Sequence, residues 1–140
     1  MPQSYSGQLR QQFLTPSRIA FSTPFVNILT HPVVAGPIMA SHPLDLQDFY
    51  IPHAVNESSS VPVGPPSINI EAKLVGVSDD VIENGGDPEG VLLVRGPSVG
   101  KLPNVEDYVD VSTNGTNGDS WIGTGVRAKV ETTGAFRIVE

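Results

Sequence analysis

The chain contains no cysteine. Disulfides, thiolate metal sites and cysteine nucleophile chemistry are therefore excluded. No apolar run approaches the roughly 20 residues that a membrane-spanning helix needs. Met1-Pro2-Gln3-Ser4-Tyr5-Ser6 has no basic stretch followed by an apolar one, so no secretory signal is read there and a cytoplasmic location is expected. Basic residues are also scarce: eight Lys and Arg are scattered through a chain of net charge −7. No nucleic-acid partner is expected, because phosphates require clustered cations. Charged residues of both signs make up only 16%, against roughly 25% in an average domain. Low charge fits either a loop-rich β domain or a neutral surface that faces another part of a larger protein.

Glycine and proline are plentiful, at 14 and 13 residues, close to a fifth of the chain against roughly 12% on average. The 140 residues suffice for one modest core. Within residues 5–14, Leu9, Phe13 and Leu14 share a helical face, and Pro16 is expected to end that helix. Arg18-Ile19-Ala20-Phe21-Ser22 and Phe25-Val26-Asn27-Ile28-Leu29 are short apolar runs bounded by prolines and read as buried strands. Residues 31–66 are dense in proline and read as ordered loop, with Val33-Val34-Ala35-Gly36-Pro37-Ile38-Met39 as the one apolar segment.

Alternation sets in at residue 67. Ile68, Ile70, Ala72 and Leu74 alternate with Asn69, Glu71 and Lys73, the period of a half-buried strand. Residues 79–88 carry turn chemistry throughout. Val91-Leu92-Leu93-Val94 suits a strand buried on both faces. Asn114-Gly115 and Asn117-Gly118 mark a tight turn or an exposed loop. Val126, Ala128 and Val130 then alternate with Arg127, Lys129 and Glu131. Thr132-Thr133-Gly134 turns the chain, and Phe136 and Ile138 alternate with Arg137 and Val139, the clearest hairpin signal present. The expected fold is mainly β: a small distorted β-barrel or antiparallel sheets, with a short N-terminal helix and a Pro-rich loop segment.

The residues alone assemble no catalytic set. His31, His42 and His53 each neighbour a proline, and only Asp45 and Asp48 lie near enough in sequence to share a metal with them, so no metal site is assigned. The acidic stretch 79–89 lacks calcium-loop spacing. No Gly-x-Ser-x-Gly elbow, phosphate loop or dinucleotide fingerprint occurs.

Two spaced motifs carry a resemblance. The first joins Gly86-Asp87-Pro88-Glu89-Gly90 to Val91-Leu92-Leu93-Val94-Arg95-Gly96-Pro97-Ser98-Val99. The second is Trp121-Ile122-Gly123-Thr124-Gly125, followed by the hairpin with Gly134, Phe136, Ile138 and Val139. Together they resemble the β-barrel subdomain of the AMP-dependent (adenylate-forming) acyl-CoA synthetase family, in a divergent form of fungal type. On that resemblance residues 1–66 correspond to the end of the nucleotide-binding core and its connecting loops, and residues 67–140 to the barrel subdomain.

The family activates a carboxylic acid, here of fatty type, with ATP and magnesium to acyl-AMP, then transfers the acyl group to coenzyme A. By resemblance, nucleotide contacts fall on Thr124, Gly125 and Val126. Val126 stands where the family has an aspartate that accepts both ribose hydroxyls. Hydrogen bonds to a charged acceptor contribute roughly 1.5–3 kcal/mol, so its loss implies about ten- to hundredfold weaker nucleotide binding. The family's phosphate loop has no counterpart here, and its lysine-bearing C-terminal lid would begin beyond Glu140. Without those cations the charge that develops on the acyl-phosphate is uncompensated. The expectation is therefore a partial, ligase-like chain, inactive alone, with no catalytic residue, metal or cofactor of its own; ATP and a fatty acyl group are partners of an intact relative. The alternative is a non-catalytic β-barrel that binds another protein.

Overall fold

The structure is a computed structural model and describes residues 9–45, 60–100, 108–109 and 121–139. Its elements are α1 (Gln11–Phe21), β1 (Ile28–Leu29), β2 (Met39–Ala40), β3 (Glu71–Val75), α2 (Asp79–Glu83), β4 (Glu89–Arg95), β5 (Tyr108–Val109), β6 (Trp121–Val130) and β7 (Phe136–Val139). The fold is mainly β, with antiparallel sheets that include a curled half-barrel. β1 and β2 form a two-stranded ribbon, and the larger sheet runs β3-β4-β6-β5 with β7 also on β6.

The apolar run of β4 takes the middle of the large sheet. Leu92, Leu93 and Val94 are buried, whereas Val91, at the start of the run, stays 37% exposed. β3 pairs on one side, from Glu71↔Arg95 to Val75↔Val91, and β6 on the other. The final hairpin follows its alternation, pairing Arg127↔Val139 through Val130↔Phe136. Phe136 and Ile138 enter the core as the period requires. Arg137 should face outward by the same count, yet it is only 9% exposed. Residues 60–64 run along the free side of β7 and cover it: Val63 N donates to Phe136 O at 2.8 Å, and Phe136 N to Gly64 O at 3.0 Å.

One core joins the two halves of the sequence. Leu29, Val34, Ile38, Met39 and Val63 pack in the same cluster as Ile70, Leu92, Val94, Val126, Ala128, Phe136 and Ile138. The Pro-rich segment is what links them. Met39 bridges to Pro66, and Ser67 N donates to Ile38 O at 2.8 Å.

Four expectations need correction. Helix α1 starts later than expected and passes through Pro16 to Phe21, so the stretch from Arg18, read as a buried strand, is helical and mostly exposed. A proline removes one hydrogen bond and crowds the preceding turn. Here both flanks are held: Leu14 is fully buried, and Arg18 Nη2 donates to Asp45 O at 3.0 Å. Ser22 in the left-handed region, with Pro24 beyond it, ends the helix instead. In the next run only Ile28–Leu29 is strand, with Val26 and Ile28 about half exposed.

Residues 67–70 form a turn, Ile70 N donating to Ser67 O at 2.9 Å, before β3 begins. Ile68 is fully exposed in that turn. The stretch 79–88 is not turn throughout. Asp79 and Asp80 occupy the first turn of α2, where carboxylates suit the helix dipole, and Asn84 Nδ2 caps it on Asp80 O at 2.7 Å. Residues 5–8, Asp48, His53, and the Asn114-Gly115 and Asn117-Gly118 turns lie outside the described residues.

Candidate functional site

Thr124, Gly125 and Val126 sit on β6 where its pairing with β4 is interrupted. Leu93 faces Gly123 and Val91 faces Arg127, so two steps along β4 match four along β6. Such a bulge bends a strand and raises its twist. It divides β6 between two neighbours: Trp121 and Ile122 pair with β5, and residues 127–130 with β7. Gly125 adopts φ 71° with open space where a Cβ would lie, so its role is the left-handed backbone rather than a close contact. Thr124 is buried and donates Oγ1–H to Leu92 O at 2.9 Å, while Val126 N donates to Thr124 Oγ1 at 3.3 Å. The hydroxyl thus satisfies backbone groups that the broken ladder leaves without strand partners.

Val126 points into the core and is 6% exposed. The structure therefore brings the three resemblance-derived residues together, but on a strand corner that uses Thr124 and Val126 for packing. Gly96 of the first motif is structural as well. A Cβ on Gly96, at φ 155°, would lie 2.0 Å from Asn69 O, so the Arg95-Gly96-Pro97 turn closes against the chain that leads into β3.

Pattern reading missed a row of polar side chains on the opposite face. Glu71 faces Arg95 across β3 and β4, and Arg95 lies one register step beyond the Val94↔Ile122 pair, level with Trp121. Arg95 Nε donates to Glu71 Oε2 at 2.6 Å. Arg95 Cζ lies 4.7 Å and Lys73 Nζ 4.9 Å from the centre of the Trp121 ring. The parity of β3 contained this signal, since Glu71 and Lys73 alternate away from the core; the partner on β6 could not be known without the register.

The hairpin conceals a second polar cluster. Arg137 donates from Nε to Glu131 Oε1 at 2.7 Å and from Nη1 to Ser60 O, and Ser60 Oγ donates to Ile138 O at 2.5 Å.

The described histidines do not converge. Val33 N donates to His31 Nδ1 at 3.3 Å, and Leu44 N to His42 Nδ1 at 3.1 Å, so each ring serves its own turn. Burial holds the His31 imidazole below its ordinary pKa, because desolvation disfavours the charged ring. Among the described residues no group of three or more His, Asp or Glu could hold a metal ion, and no helix is long and apolar enough to cross a membrane. Comparison of the chain with protein-family models and with curated proteins finds no match.

Proposed function

We propose that this chain is the barrel-side portion of an adenylate-forming, acyl-CoA-ligase-like protein and serves there as scaffold rather than as catalyst. One observation carries the reading. The two motif stretches that suggest the family, far apart in sequence, lie on neighbouring antiparallel strands β4, β6 and β7 and share one core. Gly96 and Gly125 occupy a turn and a bulge with backbone conformations that side chains rarely adopt without strain. In the parent reaction ATP and magnesium would activate a carboxylic acid of fatty type before transfer to coenzyme A, in the cytoplasm. The cations that stabilise charge in such a step would come from elsewhere in the parent protein. Thr124, Gly125 and Val126 would shape the corner of the nucleotide site rather than bind the ribose.

The test pairs two materials in one assay, carboxylate-dependent ATP–pyrophosphate exchange. The purified chain is expected to give none. The endogenous polypeptide, captured with an antibody to the β4 sequence, is expected to run several-fold above 14.9 kDa and to exchange. An endogenous band at the size of this chain, without exchange, would sink the proposal.

A protein-binding module is the second reading, favoured by the exposure of Ile19 at 73%, Phe21 at 70% and Ile68 at 103%. It requires a stoichiometric partner in a native pull-down that Ile19→Lys with Phe21→Lys abolishes. Repeated capture of the chain alone would remove it.

A further inference from the structure

The two strands of the small ribbon end in the same way. After β1 comes Thr30-His31-Pro32-Val33, and after β2 comes Ser41-His42-Pro43-Leu44. Each histidine starts a turn in which its carbonyl accepts from the amide three residues on: Val34 N to His31 O at 3.0 Å, and Asp45 N to His42 O at 2.9 Å. Each ring then accepts, at Nδ1, the amide two residues on. This is the role an asparagine side chain plays in an Asx turn, performed here by an imidazole, whose acceptor nitrogen is open to protonation. Only the neutral ring with its proton on Nε2 can accept at Nδ1.

We propose that the His31 and His42 turns form a paired, acid-sensitive latch: protonation converts both Nδ1 acceptors into donors and releases the ends of the β1–β2 ribbon. The ribbon is the part with most to lose. It is two residues deep; Leu29 and Met39 anchor its middle in the core, whereas beyond the two turns its ends are tied by contacts that include Asn27 N to Ser41 Oγ at 2.8 Å, Ser41 N to Asn27 O at 2.9 Å and Ala40 N to Pro65 O at 3.4 Å.

Among the described residues, the segment packed on the His31 turn supplies no carboxylate that would favour a charged ring. The His31 turn packs on residues 98–100 through the Val34↔Val99 bridge and Gly100 N to Val33 O. No titratable residue lies in 96–100, and the charge before it, Arg95, is paired with Glu71. The His42 turn contains Asp45, whose backbone carbonyl receives Arg18 from α1. Among the described residues neither ring has an ion pair. Desolvation of His31 acts in the same sense: its folded pKa lies below the unfolded one. The unfolded chain therefore takes up the proton first, and the turn's contribution is complete above about pH 6.5 and lost as pH falls through the folded value.

Wild type and the H31N/H42N double variant, in which asparagine keeps the acceptor without the titration, distinguish this device from general acid lability. Carboxylates and His53 are common to both proteins. Loss of the two acceptors should lower the exchange protection of the Val33 and Leu44 amides about tenfold between pH 7.5 and pH 5 in wild type, and leave it level in the variant. The thermal midpoint of wild type should fall several degrees further over that range. Nitrogen-15 spectra of wild type at pH 7.5 should show His31 and His42 as Nε2–H tautomers, which needs no variant to fold. An Nδ1–H tautomer at either ring, or equal pH responses in the two proteins, would overturn the latch.

Discussion

Replacing Val126 by aspartate installs the residue that the proposed resemblance calls for at a position 6% exposed and packed within the core. A carboxylate there must lose its hydration or drive the strand corner apart. We expect V126D to lose about 3 kcal/mol or more of stability and to gain no AMP affinity, read by urea titration and calorimetry on the same sample. A folded V126D that binds AMP would reverse the account of this position. Arg137 carries an opposite obligation, since its charge is already buried. Its side chain and that of Glu131 are 10% and 16% exposed, so R137A strands a carboxylate and the Ser60 carbonyl together. Removal of one member of a buried pair costs about 3 kcal/mol. E131Q keeps an acceptor for the guanidinium and should cost about 1 kcal/mol. Equal losses in the two variants, by chemical denaturation, would mean that Arg137 acts through packing alone.

Strands were legible in the sequence in proportion to how much of their face the core claims. β6 and β7 keep strict alternation because the core takes every second residue from Ile122 to Ala128, and both Phe136 and Ile138. β4 announces itself by continuous apolar residues because it is central. Legibility failed at α1, where Leu14 is the one fully committed side chain and proline chemistry outweighed a weak helical period. It failed again at Ile68, whose parity matched a strand although the local turn left it in solvent. The bulge was invisible for a different reason. Thr124 and Gly125 could be noticed in the sequence, but register depends on β4, which no local pattern specifies. Helix α1 also offers the element-scale test. Pro16 withholds a hydrogen bond from the helix interior, and an interior proline costs roughly 3 kcal/mol relative to alanine. P16A should raise the helical circular dichroism signal and stabilise the chain by about 1–2 kcal/mol, the remainder being lost to greater freedom of the unfolded chain. A less stable P16A would mean that the ring itself packs at this site.

Charge and apolar exposure are unevenly shared across the molecule. All 15 carboxylates of the sequence lie from Asp45 onward, so α1 and the ribbon contain no acidic residue. The stretch before Asp45 exposes Phe13 at 53%, Ile19 at 73%, Phe21 at 70% and Leu44 at 82%, with the Phe21 and Phe25 rings 6.1 Å apart. Exposed apolar residues scattered singly are ordinary, whereas a concentration within one acid-free region is not. Carboxylates keep a chain soluble through repulsion, and α1 itself carries none. The purified chain should therefore bind a hydrophobic dye while natively folded, and associate reversibly at micromolar concentration in a manner that salt strengthens. Trp121 is the only tryptophan and is held by Lys73 and Arg95 on the large sheet, so its fluorescence reports unfolding of that sheet independently of α1. Ile19→Lys with Phe21→Lys should remove dye binding and association, by light scattering, while leaving the tryptophan-monitored unfolding midpoint within about 0.5 kcal/mol of wild type. If the midpoint falls with the association, the apolar residues of α1 belong to the fold, and their exposure is not free surface.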